Sequence, residues 1–323
     1  MIPRSAIPIG GLLSGCLFGG LLFLGEVEAH EGPEHEIEAL SERLMREGDR
    51  ADLLLDRAIE YRVLGRWAEA ARDLQRAVRL TPTDGLLLRE LAQIELQRGR
   101  VSEALTWVGQ ALQLPGQLPA ERAAVLMIRS QCRVAAGAWT KALDDCSEAL
   151  HHDPQRVSAY LERSALQRRL RRHHERISGL EQGIRRTGAG LLVAERVEAL
   201  LDDGQWTRAL EAIEPELNAA RLQGTWKLRR ARALQGLGRR TEADQDLRSA
   251  LEEIESRMPA VVREPSLLMD RGRARELLGQ TEAAIQDYRA AAECGGGDEA
   301  LQAVQRLQGR VSSPWGGLRR GPR

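Results

Sequence analysis

Aromatic side chains make up only 3% of this chain. That is too few to build the row of stacking platforms that holds single-stranded nucleic acid. Of 47 basic residues only Lys141 and Lys227 are lysines, a skew we attribute to base-composition bias in the gene and not to an arginine-specific binding device. Acidic residues also number 47, so the formal net charge is zero and no overall field drives the protein onto nucleic acid or an anionic membrane. Basic runs such as Leu166 to Arg176, Arg229-Arg230 and Arg239-Arg240 lie among acidic residues and read as solvated helix faces. No glycine-rich phosphate loop, serine-nucleophile turn or paired-cysteine motif is present, and carboxylates alone do not make an acid–base pair. These absences point away from an enzyme, and no cofactor is expected.

Apolar runs are confined to the amino terminus. Arg4 precedes an uncharged stretch from Ser5 to Gly25, followed by Val27-Glu28-Ala29. A positive start, an apolar middle and small residues three and one before the cut describe a secretory signal peptide over residues 1–29, cleaved after Ala29. Two alternatives stay open. Leu13-Ser14-Gly15-Cys16 resembles a bacterial lipobox, although Cys16 runs on into apolar residues where lipoproteins have a polar tether. The 21-residue run could also remain as an anchor, since about 20 apolar residues span a bilayer. All three place the remainder outside the cytoplasm, in the periplasm or cell envelope. Beyond Cys16 the cysteines are Cys132, Cys146 and Cys294. Cys132 and Cys146 should differ in height on their helix hairpin by roughly 6 Å, which argues against a bridge and for two buried small side chains.

The rest of the chain keeps a beat. Gly65, Gly99, Gly137, Gly204, Gly238 and Gly279 each close one apolar helical run and open another. With Arg171 in the same role, the spacings are 34, 38, 34, 33, 34 and 41. Such a period marks a solenoid, in which each repeat buries its apolar face against its neighbours. In the first repeat, Leu54, Ala58 and Tyr61 share one helical face and Trp67, Ala70, Leu74 and Ala77 another. Pro82 stops the second helix because proline lacks the amide that would continue it.

Small residues recur at fixed places. At the eighth position stand Ala58, Ala92, Ser130, Ser164, Val197, Ala231 and Gly272. At the twentieth stand Ala70, Ala104, Ala142, Arg176, Ala209, Ala243 and Ala284, and at the twenty-seventh Ala77, Ala111, Ala149, Gly183, Glu216, Ala250 and Ala291. This pattern resembles the tetratricopeptide repeat family over seven repeats, residues 51–294. The resemblance implies an all-α fold, a right-handed solenoid of stacked helix–turn–helix repeats whose small residues let helix backbones approach closely. Residues 30–50 are expected to hold an amino-terminal cap helix on Ile37, Leu40 and Leu44. Residues 295–310 should hold a carboxyl-terminal cap on Leu301, Val304 and Leu307, and residues 311–323 a disordered tail. Leu114 to Pro119 and Pro259 to Pro265 lengthen two joints and are expected to be ordered bends.

The fourth repeat departs from the pattern. Arg171 replaces the turn glycine, His173 the bulky aromatic and Arg176 the close-contact alanine. Gly183 sits inside a helix at a cost of about 1 kcal/mol against alanine. One reading is a partner contact or hinge. The other is ordinary repeat decay, with Arg176 turned outward and Ile177 in its place. Either way a weak joint is expected, with fast amide exchange between Arg168 and Gly190.

The family resemblance implies a platform for protein–protein contact, its first helices lining a concave groove. Carried over position by position, the groove residues are Leu55, Ile59, Arg89, Gln93 and Met127, followed by Gln131, Arg168, Arg169, Arg232 and Arg273. Aliphatic and arginine side chains together suit a protein or peptide partner with acidic and apolar groups. The lysine-and-asparagine clamp of one chaperone-tail-binding subfamily is absent, because the fifth positions read Leu55, Arg89, Met127, Leu161, Ala194, Leu228 and Met269. An alternative function, metal handling, would rest on His30 and His35. The pairs His151-His152 and His173-His174 do not chelate alone, since helical neighbours point about 100° apart.

Overall fold

The computed structural model describes residues 32–258 and 264–311. The expected signal peptide, residues 259–263 of the Pro259–Pro265 joint and most of the expected tail lie outside the described residues. Among those described there are sixteen α-helices and no strand. The chain divides into two compact bodies between Leu80 and Thr81.

The amino-terminal body holds α1 (Pro33–Glu47), α2 (Ala51–Val63) and α3 (Trp67–Leu80). The cap stripe of Ile37, Leu40 and Leu44 is buried as its spacing requires. Leu54 and Ala58 of α2 meet Ala70, Leu74 and Ala77 of α3, all nearly inaccessible to solvent. Alanine at three of these five contacts allows the close approach that a larger side chain would block. Arg57 of α2 reaches across the hairpin to Asp73 of α3 with bonds of 2.7 and 2.8 Å, and to Ser41 of α1 at 2.8 Å.

The carboxyl-terminal body holds six further hairpins. They are α4 (Gly85–Gln97) with α5 (Val101–Gln113), α6 (Pro119–Ala135) with α7 (Trp139–His152), and α8 (Val157–Arg169) with α9 (His173–Thr187). Then come α10 (Gly190–Asp202) with α11 (Trp206–Ala219), α12 (Gly224–Gly236) with α13 (Arg240–Arg257), and α14 (Pro265–Leu277) with α15 (Thr281–Glu293). A final helix, α16 (Gly297–Val311), packs on α15 and buries Val304 and Leu307. The architecture is the expected all-α solenoid of helix–turn–helix repeats. The Leu114–Pro119 joint is an ordered bend: Gln117 donates to the Ala111 carbonyl at 2.8 Å and Arg122 to that of Leu112 at 3.1 Å.

One hydrogen bond closes every turn between paired helices. The amide after the turn residue donates five places back, as in Arg66 to Tyr61, Arg100 to Glu95, Ala138 to Arg133 and Gln280 to Arg275, each 2.8 Å. This bond needs a left-handed turn residue. Glycine supplies it six times, and Arg171 supplies it at φ 56°, the one non-glycine residue with positive φ among those described. The Arg172 amide still reaches the Gln167 carbonyl at 2.8 Å, so the fourth repeat keeps its geometry and carries the strain of an L side chain there.

The structure corrects the expectation that Arg176 turns outward. Its side chain is 1% exposed, and Ile177 beside it is buried too. Arg176 donates to Glu195 at 2.7 Å, Asp202 at 2.8 Å and Ser164 Oγ at 2.8 Å. Burying a guanidinium is tolerable only with such partners, and Glu195 and Asp202 on α10 supply them. Gly183 is not decay either. A Cβ there would stand 2.8 Å from Leu192 Cδ1 and 2.9 Å from the Tyr160 ring, so these two side chains fill the space that a methyl would need. Cys132 and Cys146 are free and buried. Burial pushes their thiols up to about 11 and about 12, which leaves them inert.

Candidate binding cleft

The first helices of the later repeats lie side by side and present equivalent positions to one face. On α12, Leu228 and Arg232 are four residues apart; on α14, Met269 and Arg273 are four apart; on α10, Glu195 and Glu198 are three apart. Such spacings put each pair on one side of its helix. Together with Arg168 of α8 and with Glu299, Gln302, Ala303 and Arg306 of α16, they line a cleft of about 650 Å³. Its apolar floor is Leu228, Met269, Leu277 and Ala303.

The walls are charged in both signs, and the charges are matched. Arg232 reaches Glu198 at 2.5 Å and Asp202 at 3.5 Å, and Arg229 reaches Glu198 at 2.9 Å. Arg168 reaches Asp202 at 3.1 Å. Nearer the end of the chain, Arg273 bridges Asp270 at 3.0 Å and Glu299 at 2.7 Å, and Arg306 grips Glu276 at 2.7 and 2.9 Å. Tyr288 donates to Glu276 at 3.0 Å. Burial raises the Glu198 carboxyl, but Arg232 and Arg229 outweigh it and hold that carboxyl below its ordinary value. The inner pairs are therefore fixed elements of the wall. The outer ones are looser: Arg273 and Arg306 are 45% and 48% exposed, where an ion pair contributes little and exchanges readily.

Of the groove residues expected from the sequence, the cleft gathers Arg168, Arg232 and Arg273. Arg169 instead lays its guanidinium over the Trp139 ring, 3.9 Å from the centroid. Met127 is packed into the hydrophobic core. Gln131 on α6 is exposed, and Arg89 and Gln93 on α4 are half-buried, with Arg89 paired to Glu90 at 3.0 Å. Leu55 and Ile59 are half-buried on α2 of the amino-terminal body. Sequence reasoning missed the acidic half of the cleft and the contribution of α16. The signal was available: Glu198, Arg232 and Arg273 occupy the same ninth position of consecutive repeats, so an acid precedes two arginines along one line.

Among the described residues no group of three or more histidine, cysteine or carboxylate side chains is arranged to hold a metal ion. His35 is exposed on α1 and His30 lies outside the described residues. No described helix is long and apolar enough to cross a membrane.

Stacked antiparallel helix pairs, closed by a recurring left-handed turn and lined along one face by side chains from successive first helices, define a helical-repeat scaffold. The tetratricopeptide repeat family model matches residues 55–119, and the fold is that of the tetratricopeptide repeat proteins. A tetratricopeptide repeat protein from Parabacteroides merdae is similar, with a TM-score of 0.59 at 17% identity over 80% of this chain and 98% of that one. Yeast Tom70 is similar with a TM-score of 0.57 at 18% identity. That match covers 88% of this chain, which spans 60% of Tom70. No curated protein matches.

Proposed function

We propose that this protein is a non-enzymatic scaffold that holds a peptide segment of another protein in the cleft formed by α8, α10, α12, α14 and α16. The observation that carries the reading is the cleft itself, an apolar floor between walls of matched ion pairs. Leu277 offers half-buried area to an apolar side chain, with Leu228 and Met269 nearly covered. At the open end, Arg273 can trade the exposed Glu299 for a carboxylate on the ligand at small net cost, and the half-exposed Arg306 stands on the neighbouring helix α16. The fitting ligand is therefore an apolar segment carrying carboxylates at one end, and the deeper pairs at Arg232 and Glu198 set its register. The amino-terminal sequence supports export, which would place the partner in the periplasm or cell envelope.

The test compares the exported form with an Arg273→Glu, Arg306→Glu variant in affinity capture from the organism's own envelope extract. A partner retained by the native cleft and lost by the variant, at unchanged helical content, supports the reading. Equal capture by both proteins refutes it.

A further inference from the structure

A second pattern runs through the repeats, away from the cleft. The seventh and twenty-third positions, sixteen residues apart, hold an arginine and an aspartate that clasp across the hairpin. Arg57 holds Asp73 at 2.7 and 2.8 Å, Arg129 holds Asp145 at 2.8 Å, Arg230 holds Asp246 at 2.7 and 2.7 Å, and Arg271 holds Asp287 at 3.0 and 2.6 Å. All four aspartates are buried. The second repeat has neither partner, with Leu91 and Trp107 at these positions. The fourth and fifth repeats are different: they keep the arginine, as Arg163 and Arg196, and have lost the carboxylate, with Gly179 and Ala212 in its place.

Both arginines are half-buried without a counter-ion. Arg163 keeps one bond, to the Gly179 carbonyl at 3.3 Å, and lies 5.2 Å from the centre of the Tyr160 ring. Burial lowers its affinity for the proton, and the like charge of Arg186 adds to that. The Arg196 Nε is buried with no hydrogen-bond partner. A guanidinium withdrawn from water and left unpaired costs free energy that an incoming carboxylate would recover. The two arginines occupy the same position on α8 and α10, which pack against each other, and neighbouring helices are spaced about 8–10 Å apart. On α8, Arg163 lies five residues from the cleft residue Arg168, hence about 140° around the helix and on a different side.

We infer that Arg163 and Arg196 form a second docking surface, which takes carboxylates from an acidic segment of a partner protein and so completes in trans the two clasps that the fourth and fifth repeats lack in cis. An aspartate or glutamate is the fitting group because the same arginine position closes on a carboxylate in four other repeats, and a planar fork binds a carboxylate through two parallel bonds. Two carboxylates a few residues apart along an extended segment, at about 3.3 Å per residue, span both sites.

The test uses the full exported chain and a fluorescein-labelled hexaglutamate peptide, read by anisotropy at low salt. The decisive variant is Gly179→Asp with Ala212→Asp, which returns each carboxylate in cis. The three atoms nearest a Cβ at Gly179 all belong to the mobile end of Arg163, the first at 2.8 Å, so the substitution calls first for that side chain to shift. The variant is expected to bind the peptide about tenfold more weakly or worse, the loss of one or more charge-assisted pairs, and to melt no lower than the native chain. Should it fail to fold, Arg163→Gln with Arg196→Gln removes the cations instead and should give the same loss. A control carrying Thr140→Asp and Gln286→Asp, which adds equal charge at exposed positions, should bind like the native protein. Equal binding by the native chain and the variant, or equal loss in the control, overturns the inference. So does displacement of the peptide by inorganic phosphate at lower concentration than by free hexaglutamate, because the surface would then prefer a phosphate ligand. The Gly179→Asp, Ala212→Asp variant leaves every residue of the cleft in place, which separates its loss from binding in the cleft.

Discussion

Replacing Arg176 with alanine sets repeat logic against the structure. The twentieth position is alanine in the six other repeats, so the pattern alone ranks Arg176→Ala as a repair that should stabilise α9. The structure reverses the sign. Removing a buried member of an ion network typically costs about 3–5 kcal/mol, because its partners stay behind uncompensated. Here the loss is softened. Asp202 keeps Arg168 and Arg232, Glu195 keeps the Ser164 hydroxyl at 2.8 Å, and the two carboxylate side chains are 17% and 28% exposed. The net expectation is about 2–3 kcal/mol of destabilisation, felt where α9 meets α10. Stability in a repeat array is local, so one global midpoint is the wrong measure. Amide exchange is the right one. Protection across His173–Thr187 and Gly190–Asp202 should fall by about 30- to 150-fold, the conversion of that free energy at a factor of ten per 1.4 kcal/mol. Unchanged or slower exchange in the variant would refute the assignment of Arg176 as the ionic tie between these helices.

Three further outcomes follow from the same neighbourhood. Arg171→Gly should stabilise the α8–α9 hairpin by about 1 kcal/mol, since φ 56° costs an L residue about that much and glycine nothing; a lower melting temperature would contradict this. Gly183→Ala should destabilise by about 1–2 kcal/mol despite a helix-propensity gain of about 1, because the added methyl meets Tyr160 and Leu192 inside van der Waals contact; urea unfolding checks it. Glu162→Gln should stabilise at neutral pH. Burial raises the Glu162 carboxyl above its usual 4.5, with its hydrogen bonds from Ser130 and Gln131 opposing the rise. A raised carboxyl favours folding while protonated and loses that contribution as pH climbs through its folded value. The stability gap between variant and native protein should therefore be near zero below pH 4.5 and open as pH rises above it; a gap that narrows toward neutrality defeats the reasoning.

The repeat boundaries were legible because they depend on local chemistry. A turn that must be left-handed calls for glycine, a helix pair that must touch calls for alanine, and both requirements recur at every repeat. Even Arg171 could be placed at its turn from spacing alone. The cleft was only half legible. Arg232 and Arg273 were found by position, but a position does not reveal whether a charge is already satisfied. Glu198 meets Arg232 and Arg229 across 34 and 31 residues of chain, and Glu299 meets Arg273 only because α16 folds against the last repeat. The arginine–aspartate clasp was visible as a sixteen-residue interval and passed over because neither residue is among the small-residue positions.

The order of amino acids by itself therefore determined the helices, their turns and the solenoid, since these follow from interactions within and between adjacent helices. Tertiary structure decided the fate of each charge. Arg176 was drawn inward because Ser164, Glu195 and Asp202 converge on one point from two helices, and Met127 went to the core because its neighbours left it no water. Arg163 and Arg196 kept their cations and lost their anions. Whether an ionisable side chain is buried, paired or left open depends on what stands within about 4 Å of it in space, and linear distance along the chain does not encode that.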